Sequence, residues 1–366
     1  MARAPDGTLT LTLLLDVGER IDLALAEPRA RSSGREGHRP ALRRGEARSS
    51  IRIPTPPLIL ELPAESDATD LPAGWREALQ VAVYDFGVLS CRRILTWPAD
   101  TPWALLVDAV ARLIHAGEMQ RWGEPLGNAA ESLLGAAIQE PERSPVREEY
   151  AILRLDGEPE GGLGETDVPR LLLGENRPLT PAAREGLLGR EFRYTLLDRT
   201  VVAYDAALVV EPDPTDHDVE LLIEFANAQL LELEVYDAIL ETRLPLLDAR
   251  AAAMGAGPGA LLARRSQRVV TELHQLTTRT SRLIEQATNA LRITDDIYLA
   301  RIYRAALDVM NEPAWRQSVE RKLMLARTMA EALNDLAVSA RAQALELTIV
   351  LLILFEIVLT LAQRWR

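Results

Sequence analysis

Residues 79–95 read LQVAVYDFGVLSCRRIL, and how this run divides decides the fold. It is the longest β-like stretch in the chain. Read as one strand, it puts Val81, Val83, Asp85, Gly87, Leu89 and Cys91 on one face and Ala82, Tyr84, Phe86, Val88 and Ser90 on the other. Both faces are largely apolar, which predicts a central strand covered on both sides. Gly87 within it predicts a bulge or a close backbone approach.

On the N-terminal side, LTLTLLLDVGERIDLALAE (8–26) predicts two short strands around a Gly18 turn, a hairpin or edge pair. EPRARSSGREGHRPALRRGEARSSIR (27–52) carries eight Arg against three Glu with little apolar content, and predicts a basic flexible loop. Arg29, Arg31, Arg35, Arg39, Arg43, Arg44 and Arg48 would form a phosphate-binding arm there, for RNA, a ribosome or an anionic lipid. The competing reading is a solvated insertion, since no aromatic is interleaved for base stacking. IRIPTPPLILEL (51–62) predicts a strand after a Pro-rich entry.

On the C-terminal side, TPWALLVDAVARLIHAG (101–117) predicts an amphipathic helix with Thr101 as N-cap and Pro102 at N1. EEYAILRL (148–155) and FRYTLLDRTVVAYDAALVVEP (192–212) read as further strands, so an α+β domain extends over 53–213, after N-terminal strands in 1–26. From residue 214 to 343 the pattern is helical. Asp216 or Asp218 can cap a helix in which Val219, Ile223, Ala226, Leu230, Leu233, Tyr236, Leu240, Leu244 and Leu247 recur at steps of three and four. MGAGPG (254–259) breaks it. Leu262 to Ala287 then repeat as a heptad seam, which predicts a long antiparallel coiled-coil hairpin. Thr294 can cap a further helix, and Pro313 opens the last.

The chain closes on ALELTIVLLILFEIVLTLAQRWR (344–366). Leu345 to Ala362, at about 27 Å as a helix, reaches the thickness of a bilayer core. The expectation is therefore a C-terminal transmembrane helix, a single-pass tail anchor that leaves the N-terminal domain cytoplasmic and makes the lipid bilayer a partner. Leu345, Leu352, Phe355 and Leu359 would face lipid or a neighbouring helix, with Trp365 as the interfacial anchor. Glu346 and Glu356 lie about 80° apart on a helical wheel. That face is expected to meet another helix, so that the protein forms a homo-oligomer through it. A buried helix of a soluble bundle is the alternative.

The chain has 366 residues and a net charge of -13, which makes the whole molecule a poor non-specific nucleic-acid binder. Cys91 is its one cysteine, so no internal disulfide forms and a reducing compartment is the simpler setting. MARAPDGTLTLTLLLD has no basic n-region, so no secretory signal is expected. The four histidines, His38, His115, His217 and His274, stand in no metal-ligand spacing. GGLG (161–164) lacks the Lys of a P-loop, GAGPG (255–259) has Pro where a dinucleotide-binding helix should begin, and no Ser sits in GxSxG. No catalytic residue, cofactor or small-molecule substrate is identified, and a non-enzymatic scaffold or assembly factor is the expected function. The runner-up is an RNA- or ribosome-associated factor using the Arg-rich loop.

Five landmarks carry a family resemblance: GERIDL (18–23), VYDFGVL (83–89), FANAQLLELEVYDAIL (225–240), VERKLMLARTMAEALND (319–335) and LELTIVLLILFEIVLTLA (345–362). Together they resemble the "required for meiotic nuclear division" family, a domain of unknown function. The resemblance implies an α+β domain, coiled-coil helices and a C-terminal membrane segment. It also implies homo-oligomers that support translation at a membrane. On its pattern fall Gly18, Asp22, Phe86, Gly87, Gln229 and Glu234, all with structural roles, together with Glu346 and Glu356. No catalytic residue is carried over.

Overall fold

The computed structural model describes residues 2–35, 37–40, 55–63, 71–164, 166–188, 190–252, 268–275, 277–278, 280–281 and 297–364. MGAGPG, Thr294 and much of the predicted heptad seam lie outside them. The chain divides into two compact units, Met1–Val235 with Ala287–Pro313, and Tyr236–Gln286 with Ala314–Arg366.

The run at 79–95 is two strands. β5 (Arg76–Val83) and β6 (Val88–Thr96) pair antiparallel, with Val81 opposite Cys91 and Val83 opposite Leu89. The expected bulge is a tight turn: Gly87 stands at φ +100 and its N–H donates to Tyr84 O at 3.3 Å. Tyr84 and Phe86 are good strand formers, which is why alternation alone ran through the turn. The close approach is real. A Cβ at Gly87 would lie 1.9 Å from the Gly18 carbonyl oxygen, while Gly87 O accepts from Val17 N–H at 3.1 Å. Gly87→Ala is therefore expected to cost about 3–5 kcal/mol, from the clash and the positive φ together. A urea midpoint within 1 kcal/mol of wild type would contradict it.

The hairpin belongs to a nine-stranded sheet of order β3-β4-β5-β6-β1-β8-β11-β10-β9. Its members are β1 (Gly7–Asp16), β3 (Gly37–His38), β4 (Leu58–Leu62), β5, β6, β8 (Arg147–Leu155), β9 (Glu191–Phe192), β10 (Arg199–Val202) and β11 (Ala206–Val210). Only β11–β8 is parallel among these pairings. β2 (Arg20–Ile21) pairs with β7 (Ile138–Gln139) and not with β1, so no hairpin forms around Gly18. The expected second strand there is instead α1 (Leu23–Ser32), because the Asp22 carboxylate accepts from Ala24 N–H at 2.9 Å and Leu25 N–H at 3.2 Å.

One sheet face buries the odd residues of β1. Leu9 and Leu11 pack with α2 (Trp103–Ile114) and α4 (Asp167–Leu173), and Leu13 and Leu15 pack with α1 and α3 (Met119–Leu134). α3 lies close on β1 because it carries Gly123 and Gly127, where a Cβ would strike Leu13 and Leu15. α5 (Pro181–Leu188) flanks this layer. Thr101 does not cap α2. Its hydroxyl donates to Pro98 O at 2.6 Å, and Pro102 is the uncapped N-cap. The even residues of β1 face the other way, towards α6 (Asp218–Ala252), which Asp216 caps by accepting from Asp218 N–H at 3.0 Å. α7 (Ile297–Val309) packs on β10.

In the second unit Leu240, Leu244 and Leu247 of α6 pack with Val269, Val270 and Leu273, and with Val319, Leu323, Ala326, Ala330 and Leu333 of α8 (Glu312–Arg364). Lys322 pairs with Asp237 at 2.9 Å beside that core. Among the described residues no helix is long and apolar enough to cross a membrane. The expected transmembrane helix, tail anchor and membrane location are thereby overturned. Thr348 and Glu356 bound the uninterrupted apolar run at residues 349–355, about 11 Å of helix against a core of about 30 Å.

Candidate functional site

Residues 222–233 of α6 are all buried, although four of them, Glu224, Asn227, Gln229 and Glu232, are polar. Such a helix needs a partner for each polar group. The sheet supplies several from its even-numbered face. Arg92 of β6 grips Glu224 with Nε at 2.9 Å from Oε1 and Nη2 at 2.8 Å from Oε2, and the Tyr84 hydroxyl donates to Oε1 at 3.4 Å. Burial and the adjacent Glu224 push the Tyr84 phenol up. Phe86 and Phe225 close over this group, edge to face at 6.1 Å.

Further along, Asp16, at the end of β1, meets Glu232 carboxyl to carboxyl. Burial pushes Asp16 up to about 7, against a lowering hydrogen bond from the Gly18 backbone and with Glu142 nearby raising it. Burial and Asp16 hold Glu232 well above the usual carboxylate range. The pair therefore keeps at least one proton at neutral pH. A second pair forms where Glu148 of β8 meets Glu234. Burial and that contact push Glu148 up to about 9. Ser90 Oγ, Asn227 Nδ2 and Glu232 Oε1 are buried without a hydrogen-bond partner. At the entry to α6, Arg154 bridges Glu220 at 2.9 Å, Asp156 at 3.1 Å and the Asp213 carbonyl at 2.8 Å. This layer holds protons and charge inside the fold.

The residues of the family resemblance mostly converge on this layer. Gly18 and Gly87 touch, Asp22 caps α1, Phe86 meets Phe225 edge to face, Gln229 accepts from the Tyr303 hydroxyl, and Glu234 meets Glu148. Asp16, Arg92, Glu148, Arg154 and Glu232 were not singled out from sequence. They come from strands and a helix far apart in the chain.

The predicted basic arm is divided. Arg29 and Arg31 lie in α1, where Arg29 Nε donates to Leu133 O at 3.5 Å, and Arg31 and Arg39 reach Glu27 at 3.3 and 3.7 Å. Arg35 follows the helix, half-buried. Arg43, Arg44 and Arg48 lie outside the described residues.

The third region is the end of α8. Leu345, Leu347, Ile349, Val350, Leu351, Leu352, Ile353, Leu354, Phe355, Ile357 and Val358 are all at least half exposed, and Glu346 and Glu356 are exposed among them. The Leu359 side chain and Trp365 lie outside what is described.

No curated protein and no solved structure matches the chain. One family model does, described as "Uncharacterized protein MJ0711, N-terminal domain", over residues 6–217. Those residues contain the whole nine-stranded sheet. The match carries no link to meiotic nuclear division. It covers more than half of the 366 residues, and the chain belongs to this uncharacterised family.

Proposed function

We propose that the protein is a non-enzymatic, self-assembling scaffold whose α8 helix pairs with α8 of a second copy. One observation carries this reading. In the second unit Val319, Leu323, Ala326, Ala330 and Leu333 follow steps of four, three, four and three, and are buried against α6 and residues 269–273. The same steps continue in the sequence through Ala337, Ala340, Ala344, Leu347, Leu351, Leu354 and Val358, with an apolar residue at every place. From Leu347 onward that seam is exposed. A heptad seam extended beyond its own partners asks for another helix. At 3.6 residues per turn it runs opposite the arc that holds Glu346 and Glu356, so both carboxylates stay in water while the seam packs. The four exposed seam side chains, Leu347, Leu351, Leu354 and Val358, at roughly 100 Å² each, offer on the order of 400 Å² per copy, about half of the roughly 800 Å² per partner in a standard interface, with the flanking apolar residues of the helix at its margins.

Sedimentation velocity of the full chain tests it. The expected result is a dimer or larger assembly for wild type and a monomer for Leu351→Asp/Leu354→Asp, with helical circular dichroism retained. A monomeric wild type, or a double variant of unchanged mass, would overturn the proposal.

A further inference from the structure

A cavity of about 620 Å³ opens in the first unit between the 72–75 turn, the 98–102 loop, α2 and Arg170 of α4. Its size is that of a ligand site. Pro102, Leu105, Ala109 and Arg112 line it from one stripe of α2, so it runs about 15 Å along the helix. The opposite wall is apolar: Trp75, whose ring lies 5.6 Å from that of Trp97, with Pro72 and Pro98. Leu105 is 60% exposed on the groove floor.

The charges are set at the two ends. Asp108 is neutralised by Arg170. Arg112, three turns along α2, makes one hydrogen bond, from Nε to the Asp108 carbonyl at 3.3 Å, and no ion pair among the described residues. Asp100, before the helix, is likewise without an ion pair there. A groove with an apolar aromatic wall, a free cation at one end and a free anion at the other fits an extended chain of four or five residues, about 3.3 Å each. We infer that this groove binds a short extended peptide, apolar and Pro-containing in its middle, with an acidic group towards Arg112 and a basic group towards Asp100. Aromatic-lined grooves take such segments because their backbone is already extended and little entropy is lost. This is independent of self-association through α8.

The probe is the pentapeptide KLPLE, blocked at both ends, titrated calorimetrically into the full chain. Saturable binding below about 1 mM is expected, and the neutral peptide QLPLQ should bind at least tenfold more weakly, since charge-assisted contacts are lost at both ends. Arg112→Glu should lose KLPLE and gain KLPLK. This exposed change leaves the core untouched, so a swap of preference reports the contact itself. No binding by the wild-type chain, or a preference unmoved in Arg112→Glu, would overturn the inference.

Discussion

Replacing Glu224 with leucine is expected to destabilise the fold by about 3–5 kcal/mol, the cost of leaving a buried cation without its partner. The residue that would be orphaned is Arg92, whose side chain is 12% exposed and which grips Glu224 through two nitrogens in the layer between sheet and α6. Burial works against the Arg92 charge, and Glu224 and Tyr84 hold it in place. Arg92→Leu is expected to cost a similar amount, because it leaves the Glu224 carboxylate without its guanidinium. The double variant Arg92→Leu/Glu224→Leu should cost much less than the sum, since no charge remains and the apolar volume is kept. Tyr84→Phe removes only a 3.4 Å contact and should cost about 1 kcal/mol. Denaturant titrations of the four variants measure the coupling. If the single costs simply added, the pair would not be acting as one unit, and the account of this layer would fail.

The strands that read clearly were those with apolar faces on both sides, and the structure shows why. The sheet is covered by α1–α4 on one face and by α6 on the other. That same double coverage hid the β5–β6 turn, because Tyr84 and Phe86 are apolar and buried or half-buried even where the chain reverses. Gly87 marked the place but not the kind of irregularity. The Asp216 cap was readable, the Asp22 cap was missed together with α1 because the run around it was read as strand, and Thr101 was misread because its hydroxyl turns back to Pro98. Periodicity gave α6 a one-sided stripe. Residues 222–233 are instead buried all round, so Glu224, Asn227, Gln229 and Glu232 could not be recognised as interior groups. Asp16 and Glu232 stand more than two hundred positions apart, and no local pattern joins them. The apolar end of α8 was visible as a run, but its heptad phase relative to Val319–Leu333 takes its meaning from knowing which residues are buried.

The carboxyl pairs make stability fall as pH rises. Asp16 has an unfolded value near 3.8 and is pushed up to about 7 in the fold by burial. Between those values the native state holds a proton that the unfolded chain has released, so the unfolded state binds fewer protons and stability decreases with pH. The contribution is complete below pH 4 and gone once pH passes 7. It amounts to about 4 kcal/mol in all, of which about 3 kcal/mol is lost between pH 5 and pH 8. Glu148, pushed up to about 9, acts in the same sense over a wider range. Glu220 acts oppositely. Its burial is outweighed by hydrogen bonds from His217 and Arg154, which hold it below the usual carboxylate range, so its contribution is lost in acid. Stability should therefore peak near pH 5. Asp16→Asn removes the titrating group while keeping its shape and a donor for Glu232, and Gly18, Glu142 and Glu232 remain around it. Thermal unfolding of wild type should show a lower midpoint at pH 8 than at pH 5, and in Asp16→Asn that drop should shrink by more than half. An equal drop in both proteins would mean that Asp16 is already ionised in the fold, and that the β1–α6 contact is held together by something other than a shared proton.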